Sequence, residues 1–204
     1  MAHEYTLALP FGGAVLIAYT SWIAFPAVHR PHGRAASCAR TTQASDVTGA
    51  CSKPVIRDGG ATGHHPSQIH AGVAWWLGAC LVVTQKASHL VVAHDGEAIS
   101  TQYATRFARG AINALHYKCL VTALQDPTEP DELGLVTADL GSVPSAHIST
   151  TPSAEVTVAL FDADGKPLTE ESGLAAIRDL IAQDRVPIPV NDAARGTIEY
   201  RGKA

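Results

Sequence analysis

The chain of 204 residues has few charged side chains and no closely spaced pair of cysteines. Charged residues make up 17% of the sequence, below the usual quarter, while the apolar fraction of 46% is ordinary for a globular protein. The four cysteines are far apart and none belongs to a CxxC pair, which argues against a zinc ribbon or a thioredoxin-type site. Cys80 and Cys119 lie in apolar runs, as buried free thiols do, and indicate a reducing compartment.

The few charges are distributed unevenly along the chain. Up to Pro66 there are five Lys and Arg residues against three acidic ones, and beyond it there are ten basic against 16 acidic residues. The C-terminal part is therefore acidic and repels a phosphate backbone. We expect no nucleic-acid partner.

An apolar run without any charge occupies residues 7–28. Its 22 residues are enough to cross a hydrocarbon layer of about 30 Å as a helix. A cleaved signal peptide fits poorly, because Met1 to Glu4 contains no Lys or Arg. A buried core helix, or leader translated from a mis-assigned start codon, is the alternative. We predict a single transmembrane helix within residues 1–30, with the membrane as a partner.

Residues 31–66 are rich in Gly, Ser, Thr, Ala, Pro and His, with little apolar periodicity, and predict a flexible linker. Arg30, Arg34 and Arg40 cluster at its start. The positive-inside rule then predicts a single-pass membrane protein whose C-terminal domain is cytoplasmic.

Four residues near this linker have side chains that bind metals: His29, His32, Cys38 and Cys51. Their spacing, HxxH followed by C-x12-C, matches no standard zinc pattern. Loose histidines and cysteines are common in linkers, so we predict no metal site.

From residue 67 to residue 204 the pattern alternates between helices and strands. Apolar residues at helical spacing follow Ser67, recur along 99–114 and return after Thr169, which is a suitable N-cap. Short strands are expected at 89–93, 117–123, 146–150, 156–161 and 198–200. This alternation predicts an α/β domain with a small, mostly parallel or mixed sheet flanked by helices. Residues 69–84 are expected to be buried in it, with a second membrane span as the alternative.

The segment ALFDADGKPLT, residues 159–169, resembles the first motif of haloacid-dehalogenase-type phosphatases. That resemblance implies that Asp162 attacks phosphorus and that Asp164 acts as general acid and base. Such enzymes also need a Ser or Thr, a Lys and an acidic pair downstream, and the 40 residues after Asp164 do not supply that set. We favour a turn that follows a strand.

A second resemblance covers more of the chain. From Pro152, PSAEVTVALFDADGKPLTEESGLAAIRDLIA resembles the segment that follows the serine motif TASHNP in α-D-phosphohexomutases, the phosphomannomutases and phosphoglucomutases. VVAHDGEAIS (91–100) resembles their VVGHDGRxSS, and VIRDGG (55–60) resembles their YDIRGxxG. The resemblance is to domain I of these enzymes, in truncated and degenerate form. It implies that Ser149 is at the position of the phosphoserine and that Arg57 helps to bind phosphate.

The departures from the family pattern concern the chemistry. The His and Asn of TASHNP are Thr150 and Thr151 here, and the Arg of HDGR is Glu97. The metal-binding DGDGDR loop of the family belongs to a second domain, and the sugar-binding loops belong to a third and a fourth. The resemblance therefore implies no metal ligand and no cofactor in this chain.

We predict a membrane-anchored, non-catalytic phosphohexomutase-like domain with a binding or structural role and other protein subunits as partners. Two alternatives stay open. In one, the chain is part of an active phosphomannomutase/phosphoglucomutase completed by another chain, with Mg²⁺ as cofactor and a sugar phosphate as substrate. In the other, it is a single-span accessory subunit of a larger membrane protein complex.

Overall fold

The computed structural model describes residues 55–114, 118–188 and 192–202. The predicted transmembrane helix, the four His and Cys residues and most of the predicted linker lie outside these ranges. The helices and strands are, in chain order, β1 (Ile56–Arg57), β2 (Gly60–His64), α1 (Ala71–Gln85), β3 (His89–His94), α2 (Ala98–Ala111), β4 (Leu120–Leu124), α3 (Pro130–Asp139), β5 (Ser145–Thr150), β6 (Glu155–Phe161), α4 (Ala175–Ala182) and β7 (Thr197–Arg201). A π-helical turn, Glu170–Leu174, precedes α4, and a 3-10 turn, Asp192–Ala194, precedes β7.

The strands form one mixed sheet in the order β1-β2-β6-β5-β3-β4-β7. The pairs β3–β4, β3–β5 and β4–β7 are parallel, whereas β1–β2, β2–β6 and β5–β6 are antiparallel. A parallel pair needs a crossover of about a dozen residues or more, so the short connections β1–β2 and β5–β6 are compatible only with antiparallel pairing. The α/β class and the mixed sheet flanked by helices are confirmed.

The two faces of the sheet differ in what lies on them. On the first, the covered face, side chains of β3, β5 and β6 such as Val92, Ile148 and Val158 join the main core, to which α1, α2 and α4 contribute. On the second face, Val91 and Ala93 form a smaller cluster with residues of α3. On this second face, Thr62 of β2 is only half buried, and so are Glu155, Thr157 and Ala159 of β6. We call this part, over β1, β2, β6 and the end of β5, the open face.

Helices α1 and α2 cross in backbone contact. A Cβ atom on Gly78 would collide with the carbonyl oxygen of Phe107, and one on Gly110 would collide with that of Trp75. Only glycine allows this approach, which brings Tyr103 and Phe107 of α2 into the core, fully buried. The predicted apolar face of this helix is confirmed.

The linker predicted for residues 31–66 extends too far at its C-terminal end. Residues 56–64 form the hairpin β1–β2, and β2 pairs with β6 over five residues. Asp58 and Gly59 both have positive φ angles, 49° and 84°, as the two central residues of a tight hairpin turn of type I′ require. The helix expected after Ser67 also begins later, at Ala71, with His70 as its N-cap.

The segment considered as a second membrane span forms α1, which is 15 residues long. Ile69, Leu77, Cys80 and Leu81 are fully buried in the main core, which confirms the prediction of a helix buried in the domain. Over the described ranges, no helix has both the length and the apolar composition to cross a membrane.

Candidate functional site at the carboxyl end of the central strands

The predicted phosphoserine position lies near the end of β5, beside the end of β3. The parallel pairing of these strands places His94 opposite Ile148, so that Asp95 and the start of α2 are next to Ser149 and Thr150. Thr150 belongs to the covered face, since its Oγ1 atom is 2.7 Å from the Oγ atom of Ser100 in α2. Side chains alternate along a strand, so Ser149 belongs to the open face.

Asp95 is the charged group at the centre of this site. Its Oδ2 atom accepts a hydrogen bond from the Thr150 N–H at 2.7 Å, and its Oδ1 atom accepts one from the Glu97 N–H at 2.9 Å. Burial alone would raise the pKa of Asp95, but these two donors, the Ser100 hydroxyl and nearby His147 together lower it below its ordinary value. The carboxylate therefore stays ionised at the N-terminus of α2, where a negative charge is favoured.

Ser149 is part of a regular hairpin. It is paired with Thr157 of β6, and the ladder continues to the pair Thr150 and Val156. The chain then turns within residues 151–154, closed by a 2.9 Å hydrogen bond from the Thr151 N–H to the Glu155 carbonyl. Ser149 is half buried, and within the described ranges its hydroxyl has no hydrogen-bond partner.

Arg57 lies on the same face as Ser149 but not beside it. Its cross-strand partner is Gly60, and β2 and β6 separate β1 from β5. Three strand spacings amount to about 14 Å between the two backbones. The Nε atom of Arg57 is 3.5 Å from the carboxylate of Asp58, within the same turn. The structure thus places the two predicted site residues on one face without bringing them together.

The residue that replaces the arginine of the family motif, Glu97, is exposed at the N-cap position of α2 and makes no capping hydrogen bond with its side chain. The negative charge noted in the sequence therefore extends into solvent. The charge that does lie within the site belongs to Asp95.

Two buried histidines near Asp95, His94 and His147, were not expected from the sequence. The Nδ1 atom of His94 accepts a hydrogen bond from the Gly96 N–H at 3.0 Å, and the Nε2 atom of His147 donates to the Thr128 carbonyl at 2.8 Å. Burial lowers the pKa of His94, and His147 lowers it further, while Asp95 and Asp126 oppose the shift. A histidine within an apolar strand, followed directly by Asp-Gly, was the signal available in the sequence.

The DADG segment is a structural turn. The Oδ1 atom of Asp162 accepts hydrogen bonds from the N–H groups of Asp164 and Lys166, at 3.0 and 2.9 Å. Gly165 completes the turn with a φ of 75°. These contacts support the interpretation as a turn after β6 rather than as a phosphatase nucleophile.

The residues near Ser149 do not suit the Mg²⁺ ion that phosphohexomutases use. Mg²⁺ binds oxygen ligands in a near-octahedral shell and keeps several waters. Here Asp95 holds backbone N–H groups with both of its oxygens. Within the described ranges, no group of three or more His, Cys, Asp and Glu residues is arranged to hold a metal ion.

Comparison with solved structures identifies the fold. No protein-family model matches the sequence, and no curated protein matches it. A Thermus thermophilus protein described provisionally as a phosphomannomutase is 20% identical, with a TM-score of 0.57 over 73% of this chain and 33% of its own. A phosphoglucomutase/phosphomannomutase family protein from Burkholderia thailandensis is 16% identical, with a TM-score of 0.54 over 73% of this chain and 32% of its own. The chain spans about a third of these structures, and in that part its fold is similar to theirs.

Proposed function

We propose that this chain is a phosphohexomutase-like domain that does not catalyse the mutase reaction by itself and that serves as a binding domain, attached to a membrane through residues 7–28. The observation that carries the proposal is the setting of Ser149, in a regular hairpin beside an ionised carboxylate. The similarity of its fold to part of the solved mutase structures supports the description as a mutase-like domain.

A phosphoryl group on Ser149 would add negative charge next to the ionised carboxylate of Asp95. Phosphoserine carries a charge of about −1.5 to −2 near neutral pH. Helix N-termini are suitable sites for such an anion, but the N-terminus of α2 already holds the carboxylate of Asp95. Because the transition state of phosphoryl transfer is stabilised mainly by cations and positioned donors, an anion at this position opposes the reaction.

The hydrogen-bond donors near Ser149 are also committed to the fold. Thr150 gives its N–H to Asp95 and its hydroxyl contacts Ser100, while the Thr151 hydroxyl accepts from the Glu155 N–H within the turn. Arg57, the cation that the family resemblance assigns to phosphate, belongs to a strand whose backbone is about 14 Å from that of β5. Nothing in this cluster takes over the roles of the missing His and Asn.

A coupled assay tests the catalytic part of the proposal. The purified chain, supplied with Mg²⁺ and an activating sugar bisphosphate, should not convert glucose 1-phosphate or mannose 1-phosphate. Ser149→Ala is the matched control, because it removes only the hydroxyl. Turnover in the parent that is absent in Ser149→Ala would overturn the proposal and make the chain an enzyme.

The membrane attachment is tested separately by fractionation. The full-length protein should stay with the membranes after a carbonate wash, and a variant without residues 1–30 should be released. Recovery of the full-length protein in the soluble fraction would contradict the attachment.

A second candidate is a mutase whose remaining domains are supplied by another chain. The hydroxyl of Ser149, half exposed and without a partner among the described residues, favours it, as does Arg57 on the same open face. Purification from membranes with identification of the bound proteins distinguishes the two candidates. A partner with the missing domains, and activity of the complex that Ser149→Ala abolishes, would establish the second one. Membrane proteins of other kinds as partners would favour an accessory subunit.

A further inference from the structure

A cavity of about 170 Å³ lies between α2 and the strands β3, β4 and β7. Ala104 and Ala108 of α2 and Ala123 of β4 form its walls, with Val92 and Leu124. These side chains are short, so the helix and the sheet leave a gap where longer side chains would fill the core. The cavity is on the covered face, apart from the open face that carries Ser149 and Arg57.

Five of the ten residues that line the cavity are polar. His94 lines it together with Thr101 and Thr105 of α2, Gln125 after β4, and Tyr200 of β7. The Thr105 hydroxyl donates to the backbone carbonyl of Thr101, so it is already satisfied. Tyr200 is 64% exposed, which places it at the rim. An apolar wall combined with polar side chains that can bind a ligand is typical of sites for small molecules.

His94 supplies a donor that the fold does not use. Its Nδ1 atom accepts from the Gly96 N–H, which fixes the neutral ring in the tautomer that has its proton on Nε2. No acceptor for this Nε2–H is found within the described ranges, although the side chain is only 7% exposed. The neighbouring charged groups, Asp95, Asp126 and His147, influence the ring only through space. This nitrogen is not among the fully buried side-chain atoms that lack a partner, and His94 lines the cavity, so water or a ligand in the cavity can supply the acceptor.

We propose that this cavity binds a small uncharged molecule with an apolar body and one carbonyl-type oxygen, which accepts a hydrogen bond from the His94 Nε2–H. The volume sets the size of the ligand, because an apolar cavity of about 150 Å³ is known to hold benzene. The walls carry no cation, so a carboxylate would lose its hydration without being neutralised. Burial favours the neutral imidazole, which suits an uncharged oxygen.

Three probes of similar size test the proposal on the full chain. Benzamide has the carbonyl oxygen, toluene lacks it, and benzoate carries a charge. Titrations followed by the ¹⁵N signals of the histidine rings should show benzamide shifting the His94 resonance and binding about tenfold more tightly than toluene, with benzoate weakest. Failure of benzamide to shift the His94 signal at millimolar concentration would overturn the proposal. Benzoate binding as tightly as benzamide would overturn the choice of an uncharged ligand.

Substitutions separate the two parts of the site. His94→Asn keeps an oxygen that can accept from the Gly96 N–H but removes the Nε2 donor, so benzamide should bind about tenfold more weakly while toluene is unchanged. Ala108→Leu, or the smaller change Ala108→Val, fills the cavity and should abolish the binding of both. Ala138→Leu, at an exposed position of α3, is the matched control and should change neither. If Ala108→Val folds and still binds benzamide as the parent does, the ligand is elsewhere and the assignment is wrong.

Discussion

The covered face and the open face of the sheet are built from the same strands, but they are subject to different constraints. In β6, Val156, Val158 and Leu160 are fully buried beneath helices, while the residues between them are half exposed. On the covered face almost every side chain is fixed by packing. On the open face, which includes Ser149, the β6 side chains are only half buried, so we expect substitutions there to cost the fold less. A comparison of two positions in one strand therefore separates what the fold requires from what a function would require.

The largest effect is expected from a charge placed in the covered face. Phe107→Asp forces an unpaired carboxylate into a fully buried position and should cost more than about 4 kcal/mol, enough to abolish cooperative unfolding. Gln102→Asp, at an exposed position of the same helix, should change the free energy of unfolding by less than about 0.5 kcal/mol. Denaturant unfolding measures both. If Phe107→Asp unfolds like the parent, the assignment of the helix face is wrong.

A glycine substitution tests the close crossing of α1 and α2, the helices that pack on the covered face. Gly110→Ala places a Cβ atom against the backbone carbonyl of Trp75 and should cost about 1–3 kcal/mol through overpacking. Gly134→Ala in α3 is the control, because a Cβ atom there meets nothing within 4 Å. Alanine is the better helix former, so this control should gain about 0.5–1 kcal/mol. If Gly110→Ala stabilised the protein as Gly134→Ala does, the close crossing of α1 and α2 would be contradicted.

The helices and strands that form the covered face were also the ones that could be predicted from the sequence. The apolar stripe Ile99–Tyr103–Phe107 and the continuous apolar run of β3 follow helical and buried-strand patterns, because the residues on this face are selected for burial. The N-cap at Thr169 followed from local chemistry, and its hydroxyl does accept from the Ser172 N–H at 3.1 Å.

The hairpin β1–β2 was missed because its residues hardly alternate between apolar and polar. Ile56–Arg57 is only two residues long, and β2 contains two glycines. The Asp58-Gly59 pair was the available signal, since it is typical of a two-residue hairpin turn. The antiparallel pairing of β5 with β6 was not predicted either, although the connection at residues 151–154 is too short for a crossover.

The candidate site was predicted only in part, since the sequence identifies residues but not the distances between them. The resemblance to phosphohexomutases indicated Ser149 and Arg57, and the structure places both on the open face, with β2 and β6 between their strands. The central role of Asp95 depends on contacts with Thr150, which is 55 residues further along the chain. No local pattern encodes that contact.

A reciprocal exchange in β6 compares the two faces directly. Val158→Thr puts a hydroxyl into the main core without a partner and should cost about 1–3 kcal/mol. Thr157→Val, on the open face next to it, loses only a long 3.4 Å contact with the Thr62 hydroxyl and should stay within about 0.5 kcal/mol. Thermal unfolding measures both variants. Similar losses at the two positions would mean that the open face is covered in the folded protein.

The smallest effect on stability is expected from a change of pH, which acts through His94 at the edge of the covered face. Because burial and His147 lower the pKa of His94 below 6.5, against the opposing effects of Asp95 and Asp126, the unfolded chain binds the proton more readily. The stability that neutral His94 contributes is present above pH 6.5 and is lost as the pH falls below it. The free energy of unfolding of His94→Asn should therefore decrease less than that of the parent in this range. A steeper decrease of the free energy of unfolding in the variant would mean that folding raises the pKa of His94 instead of lowering it.

The central claim is that the open face does not hold a working phosphoserine. The most direct measurement is intact-protein mass spectrometry of the purified chain after incubation with glucose 1,6-bisphosphate and Mg²⁺, with Ser149→Ala in parallel. A mutase serine would accept a phosphoryl group from the bisphosphate. With Asp95 ionised beside it and the backbone of Arg57 three strand spacings, about 14 Å, from β5, we predict no mass increase in either protein. A gain of one phosphoryl group in the parent that is absent in Ser149→Ala would contradict this account.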